Sequence, residues 1–373
     1  MDQRAALLAA VVVGLVVGLV AAGAVGTVSP VAAASCAFPY TATDSTGTAV
    51  TVDSPPSRVV VLGGSAAQTM WDLGAADQVV GMPVQSYTAY LSGAENRTPV
   101  MNAGGYTVNV EAVVNLTPDL VLAPNIIPAE TVATLRDAGL TVYRFEAARS
   151  IDDVAAKTRL TGRLTGNCAA AEATVSDMQR RLAVVHEAVA GEPAPRVVYP
   201  LGGGYVAGRG TFLDAILATA GGDNVADRAN ITGYQAISPE VLVEQDPQWI
   251  VRSSDLPRDE IRGPAWNGTT AVRTGQVVVV DGNLANQPAP RIVEPIETIA
   301  KALHPAAYAA ANATAAATTR PGASAVASPT TASPAGATGP TTTARRGAPD
   351  QPGFGLAAAV AALLAFGLLR RRR

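Results

Sequence analysis

Between residues 50 and 145, short apolar runs at 58–62, 79–82, 120–122 and 141–145 alternate with stretches at 66–73 and 129–138 whose apolar positions recur at helical spacing. Short runs rich in Val and Leu read as buried strands. Their alternation with helices predicts βαβ units around a mostly parallel sheet. After Glu146 the pattern turns wholly helical. Ser150 and Asp153 form a capping signal and Gly166 a stop. A second helix over 169–190 carries Val175, Met178, Leu182, Val185 and Val189 on one stripe and ends at Gly191-Glu192-Pro193. From Arg196 the first pattern resumes, with strands at 196–201, 249–251 and 277–280, a helix over 211–220 and a closing helix over 290–303.

The two halves share more than a period. Glu111 lies seven residues before Pro118, and Glu240 seven before Pro247, each on a short amphipathic stretch that feeds a buried strand. The expected fold is therefore α/β: two βα lobes of like construction, joined by a long helix, with a ligand cleft between them. Each glutamate stands in the first turn of its helix, behind Asn109 or behind Ser238-Pro239. Two readings of the pair remain open at this point. One is a favourable place in the helix dipole, worth about 0.3–1 kcal/mol; the other is a symmetric docking surface for arginines of a two-subunit partner.

The ends of the chain extend the picture. An apolar stretch over 5–25 behind Arg4, followed by Ala32-Ala33-Ala34, reads as a signal peptide over 1–34; a retained anchor is the alternative. Cys36 could take a lipid, although Ala33-Ala34-Ser35 lacks the larger aliphatic residue usual upstream. From 306 to 350 the chain is almost all Ala, Thr, Ser, Pro and Gly, which predicts an extended stalk. Pro352-Gly353-Phe354, an apolar run over 355–369 and Arg370 to Arg373 then resemble the archaeal PGF-CTERM sorting signal over 351–373. That resemblance implies processing by an archaeosortase and attachment at the outer face of the cell membrane. An ordinary C-terminal membrane helix would put the chain on the same side, by the positive-inside rule. Five Asn-x-Thr sequons, at Asn96, Asn115, Asn230, Asn267 and Asn312, agree with an extracellular glycoprotein. Outside the cell an even pair of cysteines more often bridges than stays free, so Cys36 and Cys168 are expected to form a disulfide.

Composition mainly excludes. At 373 residues the chain suits two domains with tails, and 48% apolar content fills a sizeable core. A net charge of −3 gives no basis for nucleic-acid binding. Enzyme motifs are missing: no G-x-S-x-G elbow, Walker sequence or H-E-x-x-H occurs. The two histidines, His186 and His304, have no Cys, Asp or second His at ligand spacing, so no metal or cofactor site is expected. Gly202-Gly203-Gly204-Tyr205-Val206-Ala207 formally fits a dinucleotide fingerprint, but Gly208 and Gly210 follow where a helix should open, and a cleft-lining glycine loop is the better reading. Tyr87, Tyr90, Tyr106, Tyr205 and Tyr234 fall in predicted loops after strands, where they can offer flat faces to a large ligand.

Residues 50–305 resemble the class III solute-binding proteins of ABC importers, which carry cobalamin, haem and ferric siderophores. The resemblance rests on Ser57-Arg58-Val59-Val60-Val61-Leu62 with Leu73-Gly74-Ala75, on the two Glu-to-Pro segments, on Gly210-Thr211-Phe212-Leu213 with Gly221-Gly222-Asp223-Asn224, and on Asp281-Gly282-Asn283-Leu284 with Pro290-Arg291. It implies two Rossmann-like lobes (35–165 and 192–305), a rigid backbone helix over 166–191, and no catalysis. It also favours the docking reading of Glu111 and Glu240, toward an ABC permease dimer with its ATPase subunits. Within the family the chain looks closest to the cobalamin branch. The family's ligand residues then map onto Tyr87 or Tyr90, Tyr106, Asn125, Tyr205, Tyr234, Asn286 and Gln287, in a monomer. Bacterial cobalamin binders use tryptophan at several of these points, and this chain does not. A ferric-siderophore or haem carrier on the same scaffold is the alternative, and a surface adhesive protein with a vestigial cleft a third.

Overall fold

The computed structural model describes residues 36–102 and 107–318. The expected signal peptide, the stalk beyond 318, the terminal segment over 351–373 and Tyr106 lie outside the described residues.

The described chain opens with an antiparallel hairpin, β1 (Tyr40–Thr43) and β2 (Ala49–Val52). The first lobe follows as β3 (Val59–Val61), α1 (Gly64–Asp72), β4 (Val79–Met82), β5 (Thr98–Pro99), α2 (Val110–Asn115), β6 (Leu120–Ala123), α3 (Ala129–Asp137) and β7 (Val142–Arg144). Its five strands run parallel in the order β5-β4-β3-β6-β7. Every residue of β3 and β6 is buried, as their unbroken apolar sequences require of strands covered on both faces.

Two helices lead away from this sheet. α4 (Ile151–Thr165) starts at a reciprocal capping box between Ser150 and Asp153 and stops at Gly166, whose φ of 79° suits a residue without a Cβ. α5 (Cys168–Val189) buries Val175, Met178, Leu182 and Val185 on one stripe. Its start is tied to the chain's first described residue by a Cys36–Cys168 disulfide with Cα atoms 5.5 Å apart, the expected pairing.

The second lobe contains β8 (Arg196–Val198), β9 (Pro200–Gly202), β10 (Tyr205–Ala207), α6 (Phe212–Thr219), β11 (Asp223–Asn224), α7 (Val225–Arg228), β12 (Tyr234–Ala236), α8 (Pro239–Gln245), β13 (Trp249–Ser253), α9 (Pro264–Gly268), α10 (Thr270–Thr274), β14 (Val277–Val280), α11 (Gly282–Ala285) and α12 (Val293–Leu303). Four strands make a parallel sheet, β11-β8-β13-β14, while β12-β10-β9 form a small antiparallel sheet beside it. Arg181 of α5 grips Glu297 of α12 through two hydrogen bonds of 2.9 Å, which fixes the long helix against this lobe.

The likeness of the halves extends to individual hydrogen bonds. In the first lobe Asp119 donates its N–H to the Arg58 carbonyl at 2.8 Å, and Arg58 Nη2 donates to the last-turn carbonyl of Leu116 at 2.7 Å. In the second, Gln248 donates to the Arg196 carbonyl at 2.8 Å, and Arg196 Nε donates to the carbonyls of Gln245 and Asp246 at 3.0 Å. Thr117 and Asp246, each just before its proline, both take positive φ, at 42° and 40°. α2 and α8 are thus equivalent elements, each pinned at its C-terminal end to the start of its lobe's first parallel strand.

One expectation needs correction. The stalk was to begin at 306, but α13 (Pro305–Thr318) is helical and packs on α5, with Tyr308 and Ala311 buried. Alanine repeats look like low complexity, yet alanine is the strongest helix former, and Tyr308 supplies an anchor. The expected cleft-lining glycine loop at 202–204 is the tight turn between β9 and β10, with φ of 91°, 58° and 80°, and Gly202 and Gly203 line a hollow. Three successive positive φ values leave glycine as the economical choice there.

Candidate functional site

In each lobe the strand order reverses beside the first strand. β3 leads to β4 on one side, and β6 takes the other; β8 is likewise flanked by β11 and β13. Loops that leave two adjacent strands in opposite directions open a crevice at the strands' carboxyl ends, where open α/β sheets bind ligands. The first lobe's crevice holds Leu62 to Ser65, after β3, and Pro124 to Ile127, after β6. The second lobe's holds Tyr199, after β8, with Ser253 and Asp255 at the end of β13 and beyond it. The two face each other as adjoining hollows of about 360 and 460 Å³ that share Asp255 and Asn286.

Tyr87, Asn125, Asn286 and Gln287 all line the first hollow, so four of the residues singled out by sequence come together. Gln287 is 8% exposed and donates through Nε2 to the Tyr87 carbonyl at 3.0 Å, a bond from one lobe to the other. A carbonyl can only accept, so the amide's orientation is fixed and Oε1 is the atom left over. That oxygen is buried and has no partner. Gly64 makes room for it, because a Cβ on Gly64 would lie 2.2 Å from Oε1. Tyr87 itself is half-buried, and burial raises its hydroxyl pKa.

The other tyrosines lie elsewhere. Tyr90 sits behind the cleft, where its hydroxyl accepts from Gln68 Nε2 at 2.6 Å and its ring lies 5.7 Å beneath the Arg291 guanidinium. Gln68 Oε1 in turn accepts from the Arg291 backbone N–H at 3.3 Å, so this is a second contact between the lobes. Tyr205 and Tyr234 are 51% and 54% exposed. The register pairs Tyr205 with Ala236 and Ala207 with Tyr234, which puts both rings on one face of the small sheet. Burial still raises the Tyr234 hydroxyl pKa.

Several lining residues escaped the sequence reading, notably Gly63, Gly64, Ile126 and Asp255. Ile126 is 74% exposed at the rim, an unusual place for an isoleucine. Asp255 holds Ser253 Oγ through a short hydrogen bond. No periodic signal marks such residues; their position directly after the buried strands on either side of each reversal does. No arginine or lysine lines either hollow. Among the described residues no group of three or more His, Cys, Asp or Glu could hold a metal ion, and no helix is long and apolar enough to cross a membrane.

Glu111 and Glu240 are both exposed second residues of their helices. Asn109 and Ser238 cap those helices, accepting from Ala112 N and Val241 N. The C-terminal ends of α2 and α8 are tied to Arg58 and Arg196, at the starts of their lobes' first parallel strands, and each glutamate stands at the opposite end of its helix. Its own backbone N–H and the Ser238 hydroxyl hold the Glu240 carboxyl below the usual range.

Two parallel-sheet lobes, facing crevices at matching reversals, and one long helix fastened to both lobes define a two-lobed solute-binding protein. The chain belongs to the periplasmic binding protein family, whose profile matches residues 59–284, and a PGF-CTERM motif matches 351–373. It is 49% identical over 280 residues to a cobalamin-binding protein of Halobacterium salinarum, covering 72% of this chain and 75% of that one. The fold is similar to a periplasmic heme-binding protein of Pseudomonas aeruginosa, with a TM-score of 0.59, 26% identity, and coverage of 67% of this chain and 94% of that one. It is also similar to the periplasmic vitamin B12 binding protein of Vibrio cholerae, with a TM-score of 0.58, 23% identity, and coverage of 67% and 97%. The resemblance carried by the sequence motifs thus holds at the level of family and fold.

Proposed function

We propose that this chain is the substrate-binding protein of an ABC importer, that it captures cobalamin or a related corrinoid in the cleft, and that it is tethered to the outer face of the membrane. The observation that carries the ligand is the chemistry of the cleft floor. Gln287 leaves a buried, unpaired acceptor there, Asp255 adds a second acceptor, and no lining residue is cationic. An unpaired buried acceptor costs about 1–3 kcal/mol until a donor reaches it. A corrinoid is rimmed by primary amides, whose N–H groups are donors. Haem propionates and anionic ferric chelates offer acceptors and charge instead, which this floor would repel. The 49% identical cobalamin-binding relative supports the same reading.

In this account Tyr87, Asn125, Asn286 and Gln287 touch the ligand. Tyr205, Tyr234 and Tyr106 offer rings to its apolar faces, and Tyr90 braces the lobes from behind. Glu111 and Glu240 meet arginines of a permease dimer. The signal peptide over 1–34 exports the chain, and an archaeosortase acting at the 351–373 motif leaves it on the cell surface.

Visible absorption tests the ligand. The purified protein is incubated separately with cobalamin, haem and a ferric hydroxamate, then passed through gel filtration. The corrinoid spectrum should travel with the protein; co-elution of haem or ferric chelate alone would replace this reading with the iron-carrier one.

A further inference from the structure

The outer face of the second lobe's sheet is only half covered. β13 and β14 pair with Ile250 opposite Val277 and Arg252 opposite Val279, so these four side chains share one face. Trp266 of α9 and Ala271 of α10 cover the Ile250 and Val277 end in a common apolar cluster. At Arg252 and Val279 that cover stops, and a cavity of about 470 Å³ opens, floored by Ile261, Val277 and Val279. It shares no lining residue with the two cleft hollows.

Three arginines face it: Arg252, Arg258 and Arg262. Arg252 is only 7% exposed, yet among the described residues it hydrogen bonds through Nη1 alone, to the carbonyls of Ser253 at 3.1 Å and Leu256 at 2.6 Å. None of the three makes an ion pair among the described residues. A guanidinium drawn out of water normally spends its donors on protein acceptors, as the half-buried Arg144 does in the first lobe. That side chain bonds through Nε to the Ile127 carbonyl, through Nη2 to the Asn125 carbonyl and through Nη1 to Ser45 Oγ. No carboxylate lines the cavity. Glu260, two residues from Arg258, turns the other way and accepts from the Gly203 N–H at 2.8 Å. Three unpaired guanidinium groups around an apolar floor, in a chain of net charge −3, are a local concentration of positive charge.

We propose that this cavity is a second binding site, for a small oxyanion of the phosphate or carboxylate class that carries an apolar body. Arg252 anchors the anion from below, Arg258 and Arg262 close on it from the rim, and the apolar body lies on Val277 and Val279. Planar guanidinium forks suit such oxyanions geometrically as well as electrostatically.

Calorimetric titration of the full chain tests this with inorganic phosphate and phenyl phosphate in low-chloride buffer. Both should bind saturably, phenyl phosphate at least about tenfold more tightly because its ring covers the valines. Arg258 and Arg262 are exposed, so an R258A/R262A double variant should keep its urea unfolding midpoint while binding both probes about tenfold more weakly or worse. Absence of saturation by either probe up to about 10 mM would overturn the site, since millimolar affinity needs only about 4 kcal/mol. Unchanged affinity in the double variant, or equal affinities for the two probes, would overturn it as well.

Discussion

Gln287 and Asp72 show how single residues set the behaviour of the region between the lobes. Gln287 joins the lobes through Tyr87 and offers the cleft its spare oxygen. Gly64→Ala would push a methyl group into that amide. Cobalamin affinity should therefore fall about tenfold or more in Gly64→Ala and likewise in Gln287→Leu, where the acceptor is lost outright. Calorimetry on the two variants beside the unaltered protein measures it, and wild-type affinity in both would remove Gln287 from the site. Asp72, at the end of α1, has one buried carboxylate oxygen without a partner. Burial pushes its pKa up to about 7, against the attraction of Arg291 and with some help from Glu294. In the unfolded chain the same carboxyl ionises near 3.8. Between those values the folded state holds the extra proton, so stability falls as pH rises from about 4 to about 7 and then levels off with the whole penalty in place. Asp72→Asn should stabilise the protein at pH 8 by the order of a few kcal/mol, and by nothing near pH 4. Urea midpoints at the two pH values check both the sign and the window.

At the scale of elements, the backbone pair α4 and α5 depends on a staple as well as on packing. The Cys36–Cys168 disulfide closes a loop of 132 positions. In chain-entropy terms its removal should cost about 5 kcal/mol. A Cys36→Ser/Cys168→Ser variant should show that loss in denaturant unfolding, whereas an unchanged midpoint would mean that the hairpin and α5 hold together without it. Elements of this kind were legible in the sequence where local rules agree. The valine run of β3 is buried throughout, as its sequence requires, and Ser150, Asp153 and Gly166 mark the ends of α4 unambiguously. The small sheet of β9, β10 and β12 was not legible, because strands of three residues are too short to show an alternation. α13 was missed because its alanines resemble a stalk, and only its contact with α5 separates the two. At the site, Tyr87 stood out by residue type and its place after a strand, while Asn125, Asn286 and Gln287 came from the family resemblance. Asp255 and Gly64 did not, since their significance lies in which strands end beside them, and that is a property of sheet order.

The whole molecule presents the same device twice. α2 and α8 are tied to Arg58 and Arg196 by matching bonds, and each carries an exposed glutamate in its first turn. The proposed function has those carboxylates meet the permease, not the ligand. A Glu111→Ala/Glu240→Ala variant should bind cobalamin as the unaltered protein does, while supporting transport into permease-bearing vesicles at less than about a tenth of the normal rate. Normal transport by the double variant would end the docking assignment.

The central claim is that a cleft without cations holds a neutral, amide-rimmed corrinoid. Contacts made by stacking and neutral hydrogen bonds are scarcely screened, whereas capture of an anionic chelate by charge weakens steeply as salt is added. Titration of the protein with cobalamin in the calorimeter, at low salt and again at about 1 M, where the screening length shrinks to roughly 3 Å, separates the two. The account predicts saturable binding with an affinity that changes less than about threefold between the two conditions. No heat with cobalamin, beside salt-sensitive binding of a ferric chelate, would contradict it.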